Sequence, residues 1–184
     1  LLMSLHGRSG YPYPCIRKGG CSWINWTTYK RPFDEALWQV QDAKAIAAAK
    51  GLSYVVRGVT IIHGESDHYY PGFPMASSDG TPNKLQNYAD GLIELQADYE
   101  AAIQAITGQT EPVPLFVSQM SGWSTDLNNK SSVIPIDQLA AHVRSNGKVI
   151  LIGPGYPLPF ISDGLHYSSH SERRLGEYFA KVYA

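Results

Sequence analysis

Val55-Val56-Arg57-Gly58-Val59-Thr60-Ile61-Ile62 runs directly into His63-Gly64-Glu65-Ser66-Asp67-His68. The first half is β-branched and apolar, the pattern of a buried strand. The second half is polar and reads as a loop. In parallel α/β sheets, the loops at the carboxyl ends of the strands carry the functional groups. Upstream, Phe33, Ala36, Leu37, Val40, Ala43 and Ala47 recur at three- and four-residue steps before Gly51, which predicts a helix. Downstream, Leu85, Tyr88, Leu92, Leu95, Tyr99, Ile103 and Ile106 form a second helical stripe, and Pro114–Gln119 reads as a strand. Ile136, Leu139, Ala140 and Val143 mark a short helix ending at Asn146-Gly147. Lys148–Ile152 is another strand, stopped by Gly153-Pro154-Gly155. A capping box from Ser169 to Glu172 opens the last helix, which should bury Leu175, Phe179 and Val182. Leu1–Leu5 reads as a strand entering the turn His6-Gly7-Arg8-Ser9-Gly10. The alternation of strand and helix predicts an α/β fold, a three-layer α/β/α sandwich around a parallel sheet with four strands in this sequence.

The chain has 184 residues, enough for a single domain over 1–184 with a real core. Hydrophobic residues make 43% and charged residues 17%, which excludes disorder, collagen and coiled coil. A formal charge of -1 leaves no electrostatic footprint for nucleic acid or an anionic membrane. No apolar run approaches the roughly 20 residues of a membrane span. No basic region followed by an apolar stretch marks a signal peptide. Cys15 and Cys21 lie in a Gly/Pro-rich stretch and are either bridged or two free thiols. A bridge would suit an oxidising compartment, and the expected location is secreted or extracellular. Asn25-Trp26-Thr27 and Asn129-Lys130-Ser131 fit the glycosylation sequon.

Three polar clusters fall at strand ends. In Asp163-Gly164-Leu165-His166 the spacing lets one turn bring a carboxylate to an imidazole. The Asp would fix the ring tautomer, leaving the other nitrogen to take a proton from a nucleophile. The bland reading is a turn-capping Asp over a packed His. In His63–Asp67, Glu65 and Asp67 could orient partners or bind hydroxyls, or the loop could satisfy only its own backbone. In His6–Gly10, Gly7 could present a backbone N–H to an anion or only permit the turn. His68 and His170 could join His63, Asp67 or His166 around a metal, but the spacings match no standard ligand motif. His6 and His142 read as surface or satisfied core residues. Trp23, Trp26 and Trp123, with Tyr69 and Tyr70, could stack on sugar faces or plug the core under long loops.

These clusters resemble the SGNH hydrolases of the sialate O-acetylesterase and acetylxylan esterase type. His63-Gly64-Glu65-Ser66-Asp67 is similar to their third block, commonly His-Gln-Gly-Glu-Ser-Asp. Asp163-Gly164-Leu165-His166 resembles the fifth block, which holds the catalytic Asp and His. Gly7-Arg8-Ser9 resembles the second block, whose Gly supplies an oxyanion-hole N–H. The resemblance implies a carbohydrate O-acetylesterase with His166 as base, Asp163 as its orienting partner, and Gly7 in the oxyanion hole. Gly64, Glu65 and Asp67 would bind substrate or support the site. It implies no metal or organic cofactor, and an acetylated carbohydrate as substrate.

Two departures accompany the resemblance. His63 stands where the family has Gln, so the side-chain oxyanion donor is His63 or Ser66. The first block, Gly-Asp-Ser or Gly-Gln-Ser-Asn, does not occur, and the family's five-stranded sheet is one strand short. The expectation is that the first strand and its nucleophilic Ser belong to an upstream segment or a second chain. That piece should stay associated, because its loss exposes strand edges. The alternatives are Ser9 as nucleophile, an inactive glycan-binding SGNH domain, or a scaffold with neither activity.

Overall fold

A computed structural model describes residues 2–70, 72–121 and 132–184. Trp123 and the sequon at Asn129 lie outside the described residues. The elements in chain order are α1 (Tyr13–Ile16), α2 (Pro32–Ala49), β1 (Val59–Ile61), α3 (Glu65–Tyr69), α4 (Tyr88–Thr107), β2 (Leu115–Ser118), α5 (Ile134–Arg144), β3 (Val149–Ile152) and α6 (Ser169–Tyr183).

The three strands form one parallel sheet in the order β1-β2-β3, with Val59 paired to Leu115 and Leu115 to Val149. Side chains alternate across the strands, so successive residues feed opposite faces. Val59, Leu115, Val117 and Val149 enter a core with α2, α4 and α5, whereas Phe116, Ile150 and Ile152 pack with Leu175 and Phe179 of α6. The result is a mixed α/β sandwich with helices on both faces of a parallel sheet. The stripe Tyr88, Leu92, Leu95, Tyr99 and Ile103 is buried along α4, which starts where the Asn87 side chain accepts from Asp90 N and ends at Gly108 in the left-handed region.

Several expectations are corrected. Leu2–Leu5 form no strand, and Leu2, Met3 and Leu5 are 66%, 82% and 86% exposed. Among the described residues this segment meets no neighbouring strand. It instead lies against helices, with Gln39 Nε2 donating to Leu5 O and His6 beside Tyr99. The sheet therefore has three described strands where four were expected. The 55–62 run is paired only over Val59–Ile61, because the Gln109 side-chain amide hydrogen-bonds both Val56 N and Val56 O. The cap of α6 is one residue earlier than expected, with Ser168 accepting from Ser171 N, and Val182 is half exposed. Residues 65–69, expected as loop, wind into α3.

The largest inversion is in α5. Ile136, Leu139 and Val143 face solvent, while Ile134, Gln138 and Ala141 face in. The helix is turned by its polar residue. Gln138 is fully buried and bridges two strand ends, which fixes the rotation against the hydrophobic preference. The two stripes are separable by mutation. Leu92→Ala should cost about 2–5 kcal/mol in urea unfolding, as for a truncated core residue. Val143→Ala should stay within about 0.5 kcal/mol, as for an exposed position.

Candidate active site

The Asp163 and His166 side chains meet. His166 Nδ1 lies 2.6 Å from Asp163 Oδ2, and Asp163 Oδ1 accepts from the backbone N–H of Leu165 and His166, both at 2.9 Å. With the carboxylate as acceptor, Nδ1 carries the proton and Nε2 is the free basic nitrogen. The hydrogen bond from His166, then those from the two backbone amides, hold the Asp163 carboxyl down at about 2. The carboxylate is therefore charged across the physiological range. The dyad is exposed, with the His166 side chain 65% accessible.

Its loop is tied at the base. Phe160 and Tyr167 form an antiparallel bridge with their rings stacked at 4.8 Å, and Ile161 N donates to His166 O at 2.9 Å. The Tyr167 hydroxyl lies 2.9 Å from Ser121 Oγ, just beyond the end of β2. Burial raises Tyr167, the Ser121 bond opposes it, and the charge of Glu65 adds to it. Glu65 is itself raised by burial and drawn back by the positive charge of His166. The Asp163–His166 loop is thus tied to the segment that follows β2, and its charge is felt at Glu65, the first residue of α3.

The His63–Asp67 segment is organised from below. His63 Nε2 lies 2.8 Å from Tyr11 O, which can only accept, so Nε2 bears the proton. Nδ1 then accepts from Tyr88 Oη at 2.6 Å. Burial pushes His63 down to about 4, and its bond to Tyr11 O only partly opposes this. Both ring nitrogens are used inside the protein, so the His63 side chain is engaged in support and does not point a donor toward an oxyanion. Gly64 is buried at φ +138, and a Cβ there would fall 2.7 Å from Ile134 Cγ2, so only glycine fits. Asp67 is buried and accepts from Tyr13 N at 3.0 Å through both oxygens. Burial raises it to about 7, against the Tyr13 bond. Ser66 is half-buried between these two supports.

Gly7 and Ser9 are exposed, and Arg8 between them pairs with Glu35 of α2. Among the described residues no hydrogen bond or ion pair joins Gly7 or Ser9 to His166, and no hydroxyl hydrogen-bonds His166 Nε2. Cys15 and Cys21 are bridged, closing the loop that follows Tyr11 and Tyr13 in the chain. No group of three or more His, Cys, Asp or Glu poised for a metal occurs among the described residues. No helix there is long and apolar enough to cross a membrane. The supports Tyr11, Tyr88, Gln138 and Ser121 escaped sequence reasoning. Only Gln138 gave a signal, as an uncharged polar residue inside an apolar stretch.

No family model matches the chain, and no curated protein does. Among solved structures, it is similar to a protein of Arabidopsis thaliana at 14% identity and a TM-score of 0.61. The match covers 95% of this chain and 56% of that one, so this chain spans about half the length of its structural neighbour. The likeness supports the α/β fold.

The pH dependence of the buried pair has a definite sign. Asp67 binds its proton more tightly folded, at about 7, than unfolded, at about 4. Its contribution is complete below the unfolded value and is lost as pH rises toward 7. His63, held at about 4 when folded against 6.5, contributes in the opposite direction, lost as pH falls from 6.5 to 4. The two slopes offset one another in the intact protein. Relative to Asp67→Asn, the intact protein should therefore lose about 1.4 kcal/mol per pH unit between pH 4 and 7. Paired urea titrations at pH 4.5, 5.5 and 6.5 read this difference, and a constant difference would contradict it.

Proposed function

We propose that this chain is the His–Asp part of an SGNH-type esterase that removes acetyl groups from a carbohydrate. The observation that carries the reading is the 2.6 Å Asp163–His166 pair, which leaves Nε2 with no hydrogen bond among the described residues. A Ser hydroxyl attacks the acetyl carbonyl carbon while His166 Nε2 takes its proton. The tetrahedral intermediate collapses, the ester C–O bond breaks, and His166 returns the proton to the sugar oxygen. Water then attacks the acetyl-Ser carbonyl with His166 again as base, the bond from the acyl carbon to the Ser oxygen breaks, His166 returns the proton to that oxygen, and acetate leaves. Asp163 keeps the ring in the Nδ1–H tautomer and stabilises the imidazolium. Donors at the oxyanion, each worth about 3–4 kcal/mol, come from Gly7 N–H and Ser66 in this reading, with His63 as a support.

The Ser is supplied from outside residues 1–184, by an upstream segment or a second chain. Two features favour this. The edge of β1 away from β2 has no strand on it among the described residues, and Thr60 and Ile62 are exposed there. A parallel strand added at that edge would end at the same side of the sheet as β1, where α3 begins. Ser9 is less favoured because Arg8 anchors its turn to α2. The Cys15–Cys21 bridge supports a secreted or extracellular location. An inactive glycan-binding domain is the second reading, favoured by the absence of any described hydroxyl on His166.

The test is hydrolysis of 4-nitrophenyl acetate and an acetylated xylo-oligosaccharide by the complete protein. His166→Ala should lower kcat by about 10³-fold or more. Ser9→Ala should leave it within a few-fold. Full activity in His166→Ala contradicts the mechanism, and loss in Ser9→Ala moves the nucleophile into this chain.

A further inference from the structure

The aromatic residues flanking the site divide into two kinds. Trp26 is committed to the fold, since its Nε1 donates to Cys21 O at 2.7 Å and its ring lies 5.8 Å from the Arg31 guanidinium. Trp38 lies on α2 with Lys30 Nζ 5.0 Å over its ring. Trp23 differs. It is 53% exposed, its ring is held 5.3 Å from Tyr70 at a 38° tilt, and among the described residues no hydrogen bond uses its indole N–H. Tyr69, next to Tyr70 in the chain, is also 53% exposed.

These exposed rings stand on a rigid base. Trp23 lies two residues beyond Cys21, where the loop closed by the Cys15–Cys21 bridge ends. The segment entering the bridged loop is tied to α3 by Tyr13 N on the Asp67 carboxylate, and to the residue two before α3 by Tyr11 O on His63 Nε2. Arg17, within the bridged loop, donates to Ala76 O at 2.6 Å and pairs with Glu94. Gly72 lets Tyr70 lie down, because a Cβ there would fall 2.1 Å from the Tyr70 ring. Trp and Tyr join a large apolar face to a polar edge, so rings fixed in the open suit a ligand that is itself apolar on one face and polar at its rim. Trp and Tyr with few rotors lose little entropy when a ligand settles on them.

We propose that Trp23, Tyr69 and Tyr70 form a stacking subsite for a pyranose ring of an oligosaccharide. The subsite lies at the far end of the one short helix that begins with Glu65, about 6 Å along its axis. A sugar whose ester sits at His166 extends along α3, and a neighbouring ring lays its apolar C–H face on Trp23 and Tyr70. The indole N–H and tyrosyl hydroxyls at the ring edges meet the sugar hydroxyls. The inference rests on the carbohydrate reading above and adds that the substrate is an oligomer, recognised beyond the residue that carries the ester.

The experiment is a titration of the ¹⁵N-labelled complete protein with xylotetraose, cellotetraose and chitotetraose, none of which carries an O-acetyl ester. The Trp23 indole cross-peak is assigned by its loss in Trp23→Phe. It should move saturably with at least one of the three. Trp23→Ala should weaken that binding about tenfold or more, Trp23→Phe only a few-fold, and Trp38→Ala not at all. No movement with any of the three overturns the proposal, as does unchanged affinity in both Trp23→Ala and Tyr70→Ala. Binding without esterase activity would sink the hydrolase reading alone. Activity on acetyl esters with a motionless Trp23 would sink the subsite alone.

Discussion

The site depends on one buried amide. Gln138 is fully enclosed; its oxygen accepts from Met120 N at 2.8 Å and its nitrogen donates to His63 O at 2.8 Å. These backbone groups follow β2 and β1, beyond the last ladder bonds, where the strands part to form loops. An unpartnered buried amide or carbonyl costs about 1–3 kcal/mol, so the bridge joins two ends that would otherwise each be penalised. It also explains why α5 turns its apolar side chains outward. Rotating Ile136, Leu139 and Val143 into the core would withdraw Gln138 from both partners.

From that bridge the supports build upward. Gln138 fixes the His63 carbonyl, Tyr88 and Tyr11 fix the His63 ring, and Asp67 takes the Tyr13 amide one helical turn later. The sulfur bridge at Cys15 closes the loop that follows Tyr11 and Tyr13 in the chain. Glu65 and Ser66 are then carried on a turn whose other polar residues face inward. The second arm comes from beyond β3, where Tyr167 is pinned by Ser121 and Phe160 and so fixes the loop that carries His166. The polar residues of the His63–Asp67 segment thus divide: His63 and Asp67 hold the frame, while Glu65 and Ser66 take no part in those bonds.

The sequence made some of this legible and concealed the rest for physical reasons. The α4 stripe and the strands at Leu115 and Val149 follow from periodicity because burial there is decided by side-chain hydrophobicity alone. The Asp163–His166 pair follows from spacing, because a three-residue turn closes on itself. Leu2–Leu5 and α5 misled, since each is apolar while its placement is set by something else: the lack of a neighbouring strand in one case and a buried amide in the other. The roles of Tyr11 and Tyr88 were invisible. They are 52 and 25 residues from His63, and no local pattern encodes a contact at that separation.

The central claim is that His166 activates a serine lying outside residues 1–184. A fluorophosphonate forms a covalent bond only with a serine activated by such a base, so peptide mapping after labelling the complete natural protein tests it directly. The account predicts one labelled serine, outside these 184 residues, whose labelling is lost in His166→Ala. A label on Ser9, or a label that persists without His166, would contradict it.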